Sequence, residues 1–162
     1  MARQMQMAAQ FPPVSLLPPA ADAAGRTGSY RTLKNAEKAW VVARVNQGNA
    51  ATVQLSLLQA QDVSGTNAKA INAVPIWLQN ATATSDLNVK QSALATSFTT
   101  DATIADKIVM FEITPEAALD MANGFKTIAL QTGASNAANI TEATLYVYGS
   151  YQQAVPISTY AN

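Results

Sequence analysis

The chain has 162 residues, of which only 12% are charged, and ten basic residues balance ten acidic ones. That length suits one domain, or one domain with an appendage, and buries roughly 70% of the unfolded surface without staples. The even charge balance excludes a binder driven by phosphate neutralisation, the absence of Cys excludes a disulfide framework, and no apolar run approaches the about 18 residues that a membrane helix needs.

Residues 1–29 stand apart. They carry three charges (Arg3, Asp22, Arg26), four of the seven prolines, and neither a strand nor a helix period. Gln4, Gln6, Gln10 and the prolines interrupt any signal-peptide core. Pro12-Pro13 and Pro18-Pro19 bar helix and favour extended backbone. Met5, Met7, Phe11, Val14, Leu16 and Leu17 nonetheless make the segment apolar. It reads as an extended arm that buries these side chains on its own domain or on a neighbour, and they are the expected partner-binding residues. Gly25-Arg26-Thr27-Gly28 is too short for a phosphate loop and is expected to release the arm.

From residue 30 to 151 the chain reads as strands punctuated by turns. Ala36–Asn46 runs to the Gln47-Gly48-Asn49 turn, and the next segment alternates cleanly. Val53, Leu55 and Leu57 share one face; Thr52, Gln54 and Ser56 share the other. Val42–Gln61 thus looks like two strands joined by a turn. A loop over Ser64–Asn67 leads to a strand around Trp77, where Pro75 argues for an edge or a strand start. Ser92–Thr100 is a weaker strand, and Asp106–Ile113 a strong one. Thr114 as N-cap, Pro115 at the first helical position and Gly124 as stop mark one short helix. Phe125–Gly133 and Glu142–Tyr151 complete seven or eight strands, which predicts an all-β sandwich or jelly roll. Residues 152–162 form an uncharged tail.

Amides and hydroxyls dominate the polar inventory, with 23 Asn plus Gln and 26 Ser plus Thr. A charge-poor, neutral surface disperses poorly. These groups are therefore expected to face other protein, where amides avoid the desolvation cost of buried ions.

Chemistry is sparse. The chain has no His, which removes the commonest general base and metal ligand. Zinc sites built from Cys and His are excluded. No Ser-x-x-Lys occurs, and Thr66-x-x-Lys69 sits in a turn. Glu112 and Glu116 could form a carboxylate pair. Glu116 better suits a helix N-terminus, however, and Glu112 points outward between Phe111 and Ile113. No Asp-x-Asp-x-Asp calcium loop is present. The sequons at Asn80 and Asn139 match chance in such a composition. No cofactor and no enzymatic activity are expected. Tyr146, Tyr148 and Tyr151 could face a sugar, while Trp40 and Trp77 are expected to fill the sandwich.

The string "GRTGSYRTLKNAEKAWVVARVNQGNAATVQLSLLQAQDVSGTNAKAI", with "TSDLNVKQ" and "FEITPEAALDMANGFKTIALQTGASNAANITEATLYV", resembles small virion proteins of tailed bacteriophages, of the head decoration or cement type. The resemblance covers about residues 25 to 148 and contains no catalytic signature. It implies a β-rich protein, made in the host bacterial cytoplasm and carried in the virion. Such a protein would bind the major capsid protein and neighbouring copies of itself, with a trimer the favoured form. A carbohydrate- or host-binding module and a tail or neck component are the alternatives.

Overall fold

The computed structural model describes residues 7–81 and 87–149. A single helical turn, α1 (Met7–Gln10), precedes β1 (Pro13–Ala21), β2 (Arg26–Thr27), β3 (Arg31–Thr32), β4 (Ala36–Gln47) and β5 (Gln54–Ala60). Then come β6 (Lys69–Ala70), β7 (Ile76–Ala81), β8 (Val89–Lys90), β9 (Ser97–Thr99) and β10 (Asp106–Ile113). A second helical turn, α2 (Pro115–Ala118), and a 3-10 turn (Met121–Asn123) lead to β11 (Thr127–Thr132) and β12 (Asn139–Gly149).

These strands form two antiparallel sheets. The larger has the order β1-β12-β4-β10-β7-β8. The smaller has β2-β11-β5-β6, with β3 also on β11 and β9 also on β5. Each sheet interleaves strands from the start and the end of the chain, β1 with β12 and β2 with β11. That wrapping is the jelly-roll form of the all-β sandwich.

Alternation makes the core. Val41, Ala43 and Val45 of β4, Val109, Phe111 and Ile113 of β10, and Leu145 and Val147 of β12 point inward from the larger sheet. Val53, Leu55, Leu57, Ile128 and Leu130 meet them from the smaller one. β4 and β5 do not pair as a hairpin. β4 lies between β12 and β10, whereas β5 lies on β11, so the Gly48–Asn49 turn crosses from one sheet to the other.

The structure corrects the division at residue 29. Pro13–Ala21 is a strand of the larger sheet, antiparallel to β12, and Leu16 and Leu17 are buried in this chain's own core. They are therefore closed to any partner. The prolines are tolerated because β1 is an edge strand, and its register slips between Ser15 and Leu17 and again before Ala20.

Gly25–Gly28 ties this strand down instead of releasing it. A Cβ at Gly28 would lie 2.2 Å from the Leu16 carbonyl oxygen, so only Gly permits that approach. Next to it, the Ser29 amide donates to the same carbonyl. Deleting residues 1–24 would strip the edge from the sheet and uncover the core, contrary to a detachable arm.

The expected helix begins at Pro115 but breaks at Leu119, and its second half is the 3-10 turn ended by Gly124 at φ 80°. Pro75 stands just before β7, which is internal because β8 lies beyond it.

Candidate functional site

Alternation that sends Val41, Ala43 and Val45 inward sends Trp40, Val42 and Arg44 outward on the larger sheet. Register then aligns the outer face in rows. Ser15, Thr144, Val42, Met110, Trp77 and Lys90 form one continuous row across β1, β12, β4, β10, β7 and β8. The adjoining row brings Pro13, Tyr146, Trp40 and Glu112 together, and the row on the other side aligns Glu142, Arg44, Ile108 and Gln79. The centre of this face is thus a half-buried, largely apolar strip.

Charges on the face are engaged within the chain. Lys38 Nζ donates to Glu112, whose carboxyl is held below its ordinary range chiefly by that bond. Arg44 Nη2 donates to Asp106 Oδ2 at 2.8 Å. The Lys90 ammonium lies 5.7 Å from the Trp77 ring centre, a cation–π contact.

The expected site residues separate here. Phe11 stacks on Tyr148 with centroids 5.4 Å apart and meets Trp40 edge-on at 5.7 Å. Phe11, Tyr146 and Tyr148 are therefore gathered on one face, with Tyr148 partly covered by Phe11 where a sugar ring would stack. Val14 packs against the core, and Met7 is 59% exposed. Met5, Tyr151 and the 152–162 tail lie outside the described residues. Trp40 and Trp77 do not fill the sandwich; both sit on its outer surface. Their alternation with the inward neighbours Val41 and Ile76 carried that signal, and side-chain size obscured it.

The outer face of the smaller sheet is different. Ser56 aligns with Gln131 and Gln54 with Thr99, a surface of amides and hydroxyls. Yet the amides at Gln47, Gln59 and Asn139 are buried and serve this chain alone. Gln47 Nε2 donates to the Ala51 and Asp101 carbonyls. Gln59 bridges Ala70 and Asp120. Asn139 binds Asn49, Ala51 and Ser135, so its sequon is closed to a glycan.

Sequence reasoning missed two buried charges. Asp22 is fully buried, accepts from the Thr141 hydroxyl, and faces Arg26 Nε at 3.4 Å. Arg26 also donates to the carbonyls of Pro18, Ala20 and Thr141, which binds the slipped edge of β1. Lys107 is the second. Its ammonium meets Gln47 Oε1, the Asp101 carbonyl and carboxylate, and the Thr103 carbonyl, all within 2.9 Å. The bond from Lys107 brings the Asp101 carboxyl down to about 2, assisted by the Thr103 amide. Lys107 shares the inward parity of Val109, Phe111 and Ile113, a signal that the alternation of Asp106–Ile113 already contained.

An open groove of about 520 Å3 lies beyond α2, against β6, and Gln59, Lys69 and Asp120 in its lining serve one another. Lys69 Nζ bonds Asp120 Oδ2 at 2.6 Å, and Asn123 bonds the same carboxylate. Asp120 is lowered in consequence, first by Lys69. Among the described residues, no three His, Cys, Asp or Glu side chains cluster to hold a metal. No helix there is long and apolar enough to cross a membrane.

Comparison with known proteins adds little. No family model matches the chain, and no curated protein matches it. Among solved structures it is similar to the crystal structure of the SPBc2 prophage-derived protein YomS, at 10% identity and a TM-score of 0.46, over 83% of this chain and 90% of that one.

Proposed function

We propose that this chain is a non-enzymatic structural protein of a tailed-phage virion that binds the head surface, in the manner of decoration or cement proteins. The outer face of the larger sheet would make the contact. The observation that carries this reading is the Thr144–Val42–Met110–Trp77 row. It offers uncharged, largely apolar area flanked by ion pairs that need no outside partner. Apolar surface of this kind on an otherwise polar protein fits a protein-binding face. The sequence resemblance to virion proteins supplies the phage setting, and the jelly-roll form is shared with capsid proteins only by analogy.

The test is a matched pair of charge insertions. Met110→Glu should abolish binding to heads purified from the encoding phage grown without this gene. Gln131→Glu, on the smaller sheet's outer face, should leave binding at the unmodified level. Equal binding by both variants, measured by co-sedimentation, would remove this face from the reading.

A further inference from the structure

We propose that Asn123 is a site of spontaneous deamidation in the folded protein, with Gly124 as the attacking residue and the Lys69–Asp120 pair as the clasp that slows it. This chemistry is independent of head binding.

Asn123-Gly124 is the one Asn-Gly step in the chain. Asparagine deamidates when the backbone nitrogen of the next residue attacks its side-chain carbonyl carbon. Glycine permits that closure best, because it has no Cβ to crowd the five-membered ring. Both residues are exposed, and Gly124 lies at φ 80°, where even an added Cβ would meet nothing within 4 Å. The bond from the Gly124 amide to the Met121 carbonyl, at 3.0 Å, is what occupies the nucleophile.

In the reaction the Gly124 nitrogen bonds to Asn123 Cγ, the Cγ–Nδ2 bond breaks, and the amide proton leaves with Nδ2 as ammonia. Water then opens the succinimide at either carbonyl, giving aspartate or isoaspartate.

In the folded chain the carboxamide is drawn the other way. Asn123 Nδ2 donates to both Asp120 oxygens at 2.9 Å. Lys69 Nζ holds that carboxylate at 2.6 Å, and itself lies 4.1 Å from the Phe125 ring centre. Cyclisation must first break these charge-assisted bonds to Asp120. Conversion then replaces a donor by a carboxylate beside Asp120, so attraction becomes like-charge repulsion. The new charge falls beside the groove lined by Lys69, Asp120, Met121 and Ala122. It also takes the chain from a formal net charge of zero to one negative, which makes the product separable.

The test ages the folded protein in mildly alkaline buffer and follows it by ion exchange and peptide mass analysis. An acidic form carrying aspartate or isoaspartate at residue 123 should accumulate. Asn67-Ala68, exposed but followed by a residue with a Cβ, should stay unmodified. Asp120→Ala should speed conversion at residue 123 about threefold or more, the change expected from removing an exposed charged contact, and should leave Asn67 unmodified. Asn123→Gln should give no acidic form. Absence of conversion at residue 123, over a period in which the urea-unfolded chain converts, would overturn the site. Equal rates in Asp120→Ala and the unmodified protein, or a matching rise at Asn67, would overturn the clasp.

Discussion

At one end of the sandwich, where Ala21, Gln47, Asp106 and Asn139 come together, the interior is closed by Asp22, Gln47, Thr100, Lys107, Asn139 and Thr141. At the opposite end Leu33, Ile71, Ile113, Ala118, Leu119 and Val147 close it, and the buried polar groups there, Thr32, Gln59 and Thr127, are neutral. Both buried charges of the described core therefore sit at one end. Apolar closure needs only volume and is non-directional. Polar closure needs a partner for each donor and acceptor, and in return fixes the loops that supply those partners. The Gly48–Thr52, Asp101–Ala105 and Gly133–Ala138 loops all donate to or accept from this network. Among the described residues, Asp106 Oδ1 is the lone buried side-chain oxygen or nitrogen left without a hydrogen bond.

The largest effect should come from breaking the charged end. Arg26→Leu strands the Asp22 carboxylate in the interior and frees three carbonyls on β1 and β12, which should lower stability by about 3–5 kcal/mol. A shift of that size in the urea midpoint would support the role assigned to Arg26. A change near zero would mean that Thr141 alone satisfies Asp22.

At the neutral end, Leu119→Ala removes a side chain that is 4% exposed and should cost about 2–4 kcal/mol. The two ends should differ in place as well as size. Arg26→Leu should quicken amide exchange chiefly along β1 and around Thr141, where its guanidinium held three carbonyls, and Leu119→Ala should do so at the opposite end. Parallel shifts in both variants would dissolve the distinction.

How much of this was readable beforehand follows from the same contrast. Strict alternation made β4, β5, β10 and β12 legible, because each has one face against the core and period 2 records it. β1 was hidden, since four prolines look like an arm when the compensating devices, an edge position, slipped register and the Arg26 bonds, lie elsewhere in the sequence. The turn at Gly48–Asn49 was legible, but its crossing from one sheet to the other was not. Turn composition signals a reversal but not whether the chain re-enters the same sheet. Of the site, parity alone would have placed Trp40 and Trp77 outward and Lys107 inward. Asp22 gave no local signal, because its partners Arg26 and Thr141 become neighbours only once β1 and β12 pair.

The smallest effect concerns acid. Asp101 has its pKa drawn from the usual carboxylate range to about 2 in the folded state, chiefly by Lys107. Its contribution is therefore complete above about pH 4 and disappears as the pH falls through the folded value. The carboxylate is 51% exposed, so solvent screening keeps the change small. It should show as local opening before global unfolding. Amide exchange at Thr103 should quicken between about pH 4 and 2, while Ile113 and Val147 at the neutral end keep their protection. Asp101→Asn should remove that pH dependence. Simultaneous loss at both ends would mean that the cage around Lys107 is no more separable from the fold than its apolar counterpart, and that the two ends open as one unit.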